Sequence, residues 1–396
     1  MSFSVTRNVT WVGKIDWELR KFHGEEYTTA RGSSYNSYLL RGEKTVLVDT
    51  VWSPYDRAFV QDMERLVDLQ KIDAVVVNHA EVDHSGALPE LLSRIPDVPL
   101  YCSKNAVKSL TGYYHKDWNF QVVRTGDTLS LGNMDLVFIE APMLHWPDSM
   151  FCYLTEDNIL FSNDAFGQHY ASEFMYDDLV DPCELFDEAL KYYANILTPF
   201  SPLVRKKIDE LKGMKVPVNL ICPSHGVIWR GRPMDIVEKY EEWADDYQED
   251  QITLLYDTMW NATRGMAEAI AEGIRAASPS TEVKLYNTSK SDRTIMVTDI
   301  FRSKAVLVGS STINNGILSS VAGILEEIRG MKFKQKKAAA FGSYGWSGES
   351  VKLITQRLQE GGFELVNEGF KLLWQPGEEG REQCRKWGRK FVNDLA

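Results

Sequence analysis

At 396 residues the chain is longer than one hydrophobic core usually organises, so two domains are expected. Its 44% hydrophobic and 25% charged residues are those of an ordinary globular protein. The formal net charge of -12 excludes a general nucleic-acid binder, which carries basic stripes, and any docking partner has to tolerate an acidic surface.

The opening MSFSVTRNVTWVG lacks the apolar core of a signal peptide, and no stretch approaches the ~18 apolar residues of a membrane span. A cytoplasmic protein without membrane association is therefore expected. Strands follow in NSYLLRG, KTVLVDT, IDAVVVNH, PLYCS, MDLVFIE, MFCYLT and NILFSND, with helical periodicity in AFVQDMERLVDLQ and ALPELLSRI. This is a mixed, layered α/β pattern, and its polar residues of interest stand where strands end: Asp49, His79, Asp164 and the PSHG at 223–226. Residues 234–251, MDIVEKYEEWADDYQEDQ, read as a charged helix that ends in an acidic stretch. Beyond Asp250 the character changes. The strands ITLLYDT, VKLYNTS, KAVLVGSS, KAAAFGSYG and GFELV alternate with helices such as GMAEAIAEGIRAA and ESVKLITQRLQEG, which indicates a parallel sheet with helices on both faces. Two domains, 1–250 and 251–396, are expected. The cysteines Cys102, Cys152, Cys183, Cys222 and Cys384 are scattered and never in CxxC spacing, which fits a reducing compartment and excludes a local cysteine-rich metal motif.

The stretch VVVNHAEVDHSG places His79, Glu81, Asp83 and His84 within six positions after an apolar run. Histidine with carboxylate is a ligand set for divalent transition metals, and strand-end loops can aim several ligands at one point. An extended backbone turns His79, Glu81 and Asp83, two apart, toward the same side. Three more candidates follow other apolar runs: His145 in PMLHWPDS, Asp164 in LFSNDAFG and His225 in CPSHGV. The order resembles the metallo-β-lactamase superfamily over roughly residues 1–250, where HxHxDH is followed by a His, an Asp and a His. Here Glu81 replaces the second histidine, which makes the site harder and more anionic and favours iron over zinc.

That exchange resembles the flavodiiron proteins. The resemblance implies one iron on His79, Glu81 and His145, a second on Asp83, His84 and His225, and Asp164 between them. In that family the His84 position can swing away and leave a water. The resemblance also allows His23 in KFHGEEY and Tyr193 in KYYANI near the distal face of the irons, as donors to a bound diatomic. His115 and His169 read as surface or hydrogen-bonded residues.

In the second half, the loop from Thr258 through Met259, Trp260, Asn261 and Ala262 to Thr263 joins a strand to a helix whose N-terminus favours a phosphate. There is no GxGxxG or GxxxxGK[ST] motif, so neither a dinucleotide nor a nucleoside triphosphate site is indicated. GSSTINNG carries Ser310, Thr312, Asn314, Asn315 and Gly316; FGSYGWSGES carries Ser343, Tyr344, Gly345, Trp346, Ser347 and Gly348. Both follow apolar strands, where open α/β sheets bind ligands, and Trp346 is suited to stacking on a planar ring. Residues 251–396 resemble a flavodoxin domain, which implies FMN.

A metallo-β-lactamase-like αββα domain followed by a flavodoxin-like, doubly wound domain is the arrangement of the flavodiiron proteins. Membership implies reduction of nitric oxide to nitrous oxide, dioxygen to water, or both, with FMN and two non-haem irons. It also implies a head-to-tail homodimer or dimer of dimers. With no CxxC pairs before Ala396, a separate small electron donor such as a rubredoxin is expected. FHGEEYTTARGSSYNSYL and MLHWPDSMFCYLT look closest to the nitric oxide-reducing type. A binuclear zinc hydrolase with an appended flavodoxin domain, and a plain FMN electron carrier, are the competing classes.

Overall fold

The apolar runs of the first half become two packed sheets in the computed structural model, which describes residues 2–395. The first has seven strands in the order Phe3–Ser4, Val9–Trp11, Tyr38–Arg41, Thr45–Val48, Ala74–Val77, Leu100–Ser103 and Phe120–Val123. From Thr45–Val48 onward its neighbours are parallel. The second has five: Thr128–Ser130, Asp135–Glu140, Met150–Leu154, Ile159–Asn163 and Leu220–Pro223.

Ala74–Val77 shows why these runs are continuous rather than alternating. Ala74 and Val76 face the core between the sheets, with Phe138, Cys152, Phe161 and Cys222. Val75 and Val77 face the opposite side, against Phe59, Met63, Leu91 and Leu110 on the helices Asp56–Leu66, Leu88–Arg94 and Lys104–Tyr114. A strand covered on both faces has no solvent side to mark with polar residues. The helix Lys104–Tyr114, absent from the periodicity reading, starts where the Ser103 hydroxyl accepts the Ala106 N–H and ends at exposed His115 in the left-handed region.

The parallel sheet of the second half runs in the order Glu282–Asn287, Glu249–Asp257, Ser303–Ser311, Lys337–Tyr344 and Glu364–Leu365; Phe370–Leu373 also pairs with the fourth. In chain order this is second, first, third, fourth, fifth, the order of a doubly wound flavodoxin-like sheet. The charged helix differs from expectation: it spans Pro233–Ala244, and Glu249–Gln251 already belong to a strand. Buried Gln251 donates its amide to Asp299 O and Ser303 Oγ, and Glu249 pairs with Ser303, so the acidic end is extended.

The chain divides into two compact units. The second gathers everything from Glu242 onward with His23–Thr28 and Ala194–Pro199; the first holds the rest. Among the described residues no helix is long and apolar enough to cross a membrane.

Candidate metal centre and cofactor cleft

His79 and Glu81 leave the carboxyl end of Ala74–Val77, and the backbone then changes character. Val82–Ser85 is one helical turn, held by Ser85 Oγ donating to Ala80 O and Glu81 O and by the His84 and Ser85 N–H groups on Glu81 O. The expected alternation therefore stops at Glu81: the turn carries Asp83 and His84 around to a different partner set. Asp164 follows Ile159–Asn163 and His225 follows Leu220–Pro223, while His145 lies in the loop between Asp135–Glu140 and Met150–Leu154.

All seven side chains are buried and form two groups, His79, Glu81, His145 and Asp164, and Asp83, His84 and His225; within each group the donor atoms lie within 4.8 Å of one another. Glu81 Oε2 is 3.2 Å from His79 Nε2 and 3.4 Å from His145 Nε2. Asp83 Oδ2 is 3.2 Å from His84 Nε2 and 3.1 Å from His225 Nε2. Asp164 presents one oxygen to each group. Its Oδ2 is 3.3 Å from His145 and 3.6 Å from His79, while Oδ1 is 3.0 Å from His84 and 3.5 Å from His225.

Both oxygens of Asp83 and Asp164, and both ring nitrogens of His84, are buried with no hydrogen bond. Such groups are costly unless something coordinates them. Burial opposes a charged His79, but Asp148, Glu81 and Asp164 outweigh it and raise its pKa well above the usual value. Burial likewise opposes a charged His84, yet Asp83 and Asp164 lift it to about 9. Burial alone would raise the pKa of Asp164; His84, His145 and His79 instead hold it well below the carboxylate range. The anionic pocket demands nearby positive charge, which two divalent cations would supply. Carboxylates with imidazoles, one carboxylate facing both groups, fit a non-haem iron pair.

Two hydrogen bonds fix ring tautomers. His79 Nδ1 lies 2.9 Å from Asp148 Oδ2 and His225 Nδ1 2.7 Å from Ser34 O, so each ring donates there and leaves Nε2 for a metal. Burial opposes ionisation of Asp148, but its bond from His79 and that ring's charge hold it below the usual range. Asp49 accepts from the Asn78 N–H and side-chain amide, and burial raises its pKa to about 6.

The candidate proton donors are placed differently from expectation. Tyr193 sets its hydroxyl 2.9 Å from Ser201 Oγ and its ring edge-on to Tyr240. Tyr192, one residue earlier and fully buried, puts its ring 6.2 Å from that of His225 and 5.2 Å from that of His169. Which tyrosine of the pair faces the cluster is decided by the wide turn Tyr193–Leu197 that ends the helix, a feature without a sequence signature. His23 is exposed at a left-handed turn grouped with the second unit, and neither metal group contains it. His169 is a hydrogen-bonded core residue, its Nδ1 2.8 Å from Ser33 Oγ, and with Phe22 and Tyr35 it surrounds the His225 ring.

In the second unit a cleft of about 450 Å³ opens at the carboxyl ends of the parallel strands. Met259, Trp260 and Ala262 line it from the first loop, Thr312 from the second, and Ser343, Tyr344, Gly345 and Trp346 from the third. Ser311, Trp374 and Gln375 join them, although the sequence reading did not single them out. Trp346 and Trp260 are 85% and 82% exposed, an aromatic wall suited to a planar ring. Thr258 Oγ1 is buried without a hydrogen bond beside the amino end of Ala262–Ala277, as a phosphate cradle requires. Asn261 takes the left-handed turn into that helix.

Other expected residues do not line the cleft. Thr263 is turned inward, its hydroxyl bonded to those of Ser311 and Ser343. Ser310 Oγ donates to Ser311 O and accepts from Leu318 N. Asn314 and Asn315 adopt left-handed conformations in a turn closed by the Gly316 N–H on Ile313 O. Ser347 is exposed, and Gly348, with a φ of +83°, lies against the Tyr344 ring. Strand-end position was visible in the sequence; the direction of each side chain was not.

Two family models match the sequence: one described as an ODP family beta lactamase over residues 34–226, and one described as flavodoxin over residues 254–388. The anaerobic nitric oxide reductase flavorubredoxin of Klebsiella pneumoniae is 54% identical over 398 aligned positions, covering 100% of this chain and 82% of that relative. The solved structure of rubredoxin oxygen:oxidoreductase from Desulfovibrio gigas superposes with a TM-score of 0.96 at 37% identity, covering 100% of this chain and 98% of that one. The flavodiiron protein of Giardia intestinalis gives 0.94 at 34% identity, covering 100% and 97%.

Proposed function

This chain belongs to the flavodiiron protein family, and from that premise we propose that it passes electrons from a rubredoxin-type donor through FMN to a non-haem diiron centre that reduces nitric oxide to nitrous oxide, dioxygen to water, or both. The observation that carries the proposal is Asp164, whose two oxygens face two separate groups of buried donors. His79, Glu81 and His145 would hold one iron, Asp83, His84 and His225 the other, with Asp164 between. When bound, the irons supply electrons and open coordination positions for a diatomic gas, and FMN refills them. The polypeptide's own part is to exclude water and hold a proton close by. Phe22, Tyr35 and Tyr192 pack around His225, and burial keeps the Tyr192 phenol protonated, its pKa well above the usual value.

Nitric oxide is the substrate we favour, because the 54% identical relative carries that name while the oxygen-reducing one is 37% identical. We assign the diiron domain to residues 1–250 and the FMN domain to 251–396. A head-to-tail homodimer or dimer of dimers in the cytoplasm completes the reading; four of the five free cysteines are buried, which suits a reducing compartment. The deciding experiment is metal analysis followed by anaerobic turnover of the reduced, iron-loaded protein with nitric oxide and, separately, with dioxygen. Two irons and one FMN per chain with rapid gas consumption are expected. Bound zinc without gas reduction would instead indicate a hydrolase.

The phosphate end of the cleft gives a milder test. Thr258→Val removes a buried hydroxyl at constant volume, and FMN affinity is expected to fall about 10-fold, roughly 1 kcal/mol, for one lost hydrogen bond. Titrating the apoprotein by flavin fluorescence measures it; unchanged affinity would place the phosphate elsewhere.

A further inference from the structure

We propose that Asp148 makes the two metal positions electronically unequal, with the position served by His79 the more electron-rich and the more tightly held. The inference rests on reading the cluster as an iron pair. Asp148 is fully buried, and its Oδ2 accepts both the His79 ring N–H at 2.9 Å and the Ala80 N–H at 2.7 Å. A carboxylate behind an imidazole draws the ring proton toward itself and raises the basicity of the far nitrogen, here the Nε2 that faces Glu81.

The other group has no such support. His225 leans on the carbonyl oxygen of Ser34, a neutral dipole that sets the tautomer without adding charge. Neither ring nitrogen of His84 has a hydrogen bond. Asp164 gives one oxygen to each side, so it cancels in the comparison. What remains is Glu81 with Asp148 behind His79 on one side, against Asp83 alone on the other. The additional anion stabilises the higher oxidation state of the nearer iron, which is therefore the last to be reduced.

Asp148 is held for this role from behind. Its carbonyl accepts the Ser103 hydroxyl at 2.8 Å, Pro147 O accepts the Asn105 amide at 2.9 Å, and Ser109 Oγ stands 3.5 Å from Oδ1. The loop that delivers His145 thus also delivers the charge behind His79, both anchored on the helix Lys104–Tyr114.

The test uses iron-loaded, FMN-containing protein. In the wild type, a chelator is expected to remove iron in two phases, and Mössbauer spectra of the half-reduced pair to show the ferric charge localised on one site. Asp148→Asn keeps the shape and an acceptor oxygen but deletes the charge. It is expected to weaken retention of one iron about 10–100-fold, leave FMN in place, and narrow the gap between the two reduction steps. Single-phase iron loss from the wild type, or a variant with unchanged retention and potentials, overturns the proposal. So does loss of both irons together with a lowered unfolding temperature, which marks a merely structural role. Wild-type protein that binds no iron pair would sink the functional reading as well; two irons that leave together sink only the asymmetry.

Discussion

Asp164→Asn is expected to abolish gas reduction, lowering turnover by at least ~100-fold, while the protein still folds and binds FMN. An amide matches the carboxylate in volume, but only one of its two ends can coordinate. In the native chain Oδ2 faces His145 and His79, and Oδ1 faces His84 and His225. Whichever way the amide turns, one group meets an NH2 that has no lone pair to offer. Iron content should fall to one per chain or fewer, with unaltered flavin absorbance. Two tightly held irons and near-native rates in the variant would show that Asp164 does not join the groups.

The second large effect is expected from Gly226→Ala. Gly226 has a φ of +76°, a conformation that side-chain-bearing residues rarely adopt, and a Cβ there would lie 1.6 Å from Gln168 Oε1 and 2.4 Å from Gln168 O. Gln168 cannot yield cheaply, because its Oε1 accepts the Val227 N–H and its Nε2 donates to Val227 O. The same turn is tied down by the Gly226 N–H on Ser34 Oγ and by the Asn36 amide on Pro223 O and Gly226 O. Strain plus broken buried hydrogen bonds should cost the first unit roughly 3 kcal/mol or more. His225, one residue away, should move off its contact with Ser34 O and release its iron. Chemical denaturation of the first unit and iron analysis read the two effects together; a native midpoint with two irons would refute the account.

How much was legible in advance varies with the kind of information each feature needs. HAEVDH stood out because four ionisable residues directly follow a run covered on both faces, where such side chains require a reason. Asp148 did not stand out: its importance lies in a hydrogen bond to a residue 69 positions away, and in PMLHWPDS it reads as an ordinary loop acid. Tyr193 was preferred over Tyr192 because adjacent positions on a helix are indistinguishable until the turn that ends it is known. Thr263 looked like a phosphate ligand by composition, yet it closes a buried hydroxyl triangle with Ser311 and Ser343.

By itself, the sequence determined the donor chemistry and its order: imidazoles and carboxylates at successive strand ends, a glutamate in place of a histidine, then a second sheet whose loops suit a flavin. Those follow from residue type and local periodicity, which need no knowledge of distant neighbours. Only the tertiary structure decided which donors share a metal, which ring nitrogen each histidine presents, and which hydroxyls face the cleft. The donors arrive from four separate segments of the chain, and separation along the sequence carries no measure of distance in space. One helical turn at Val82–Ser85 was enough to send Asp83 and Glu81 to different groups.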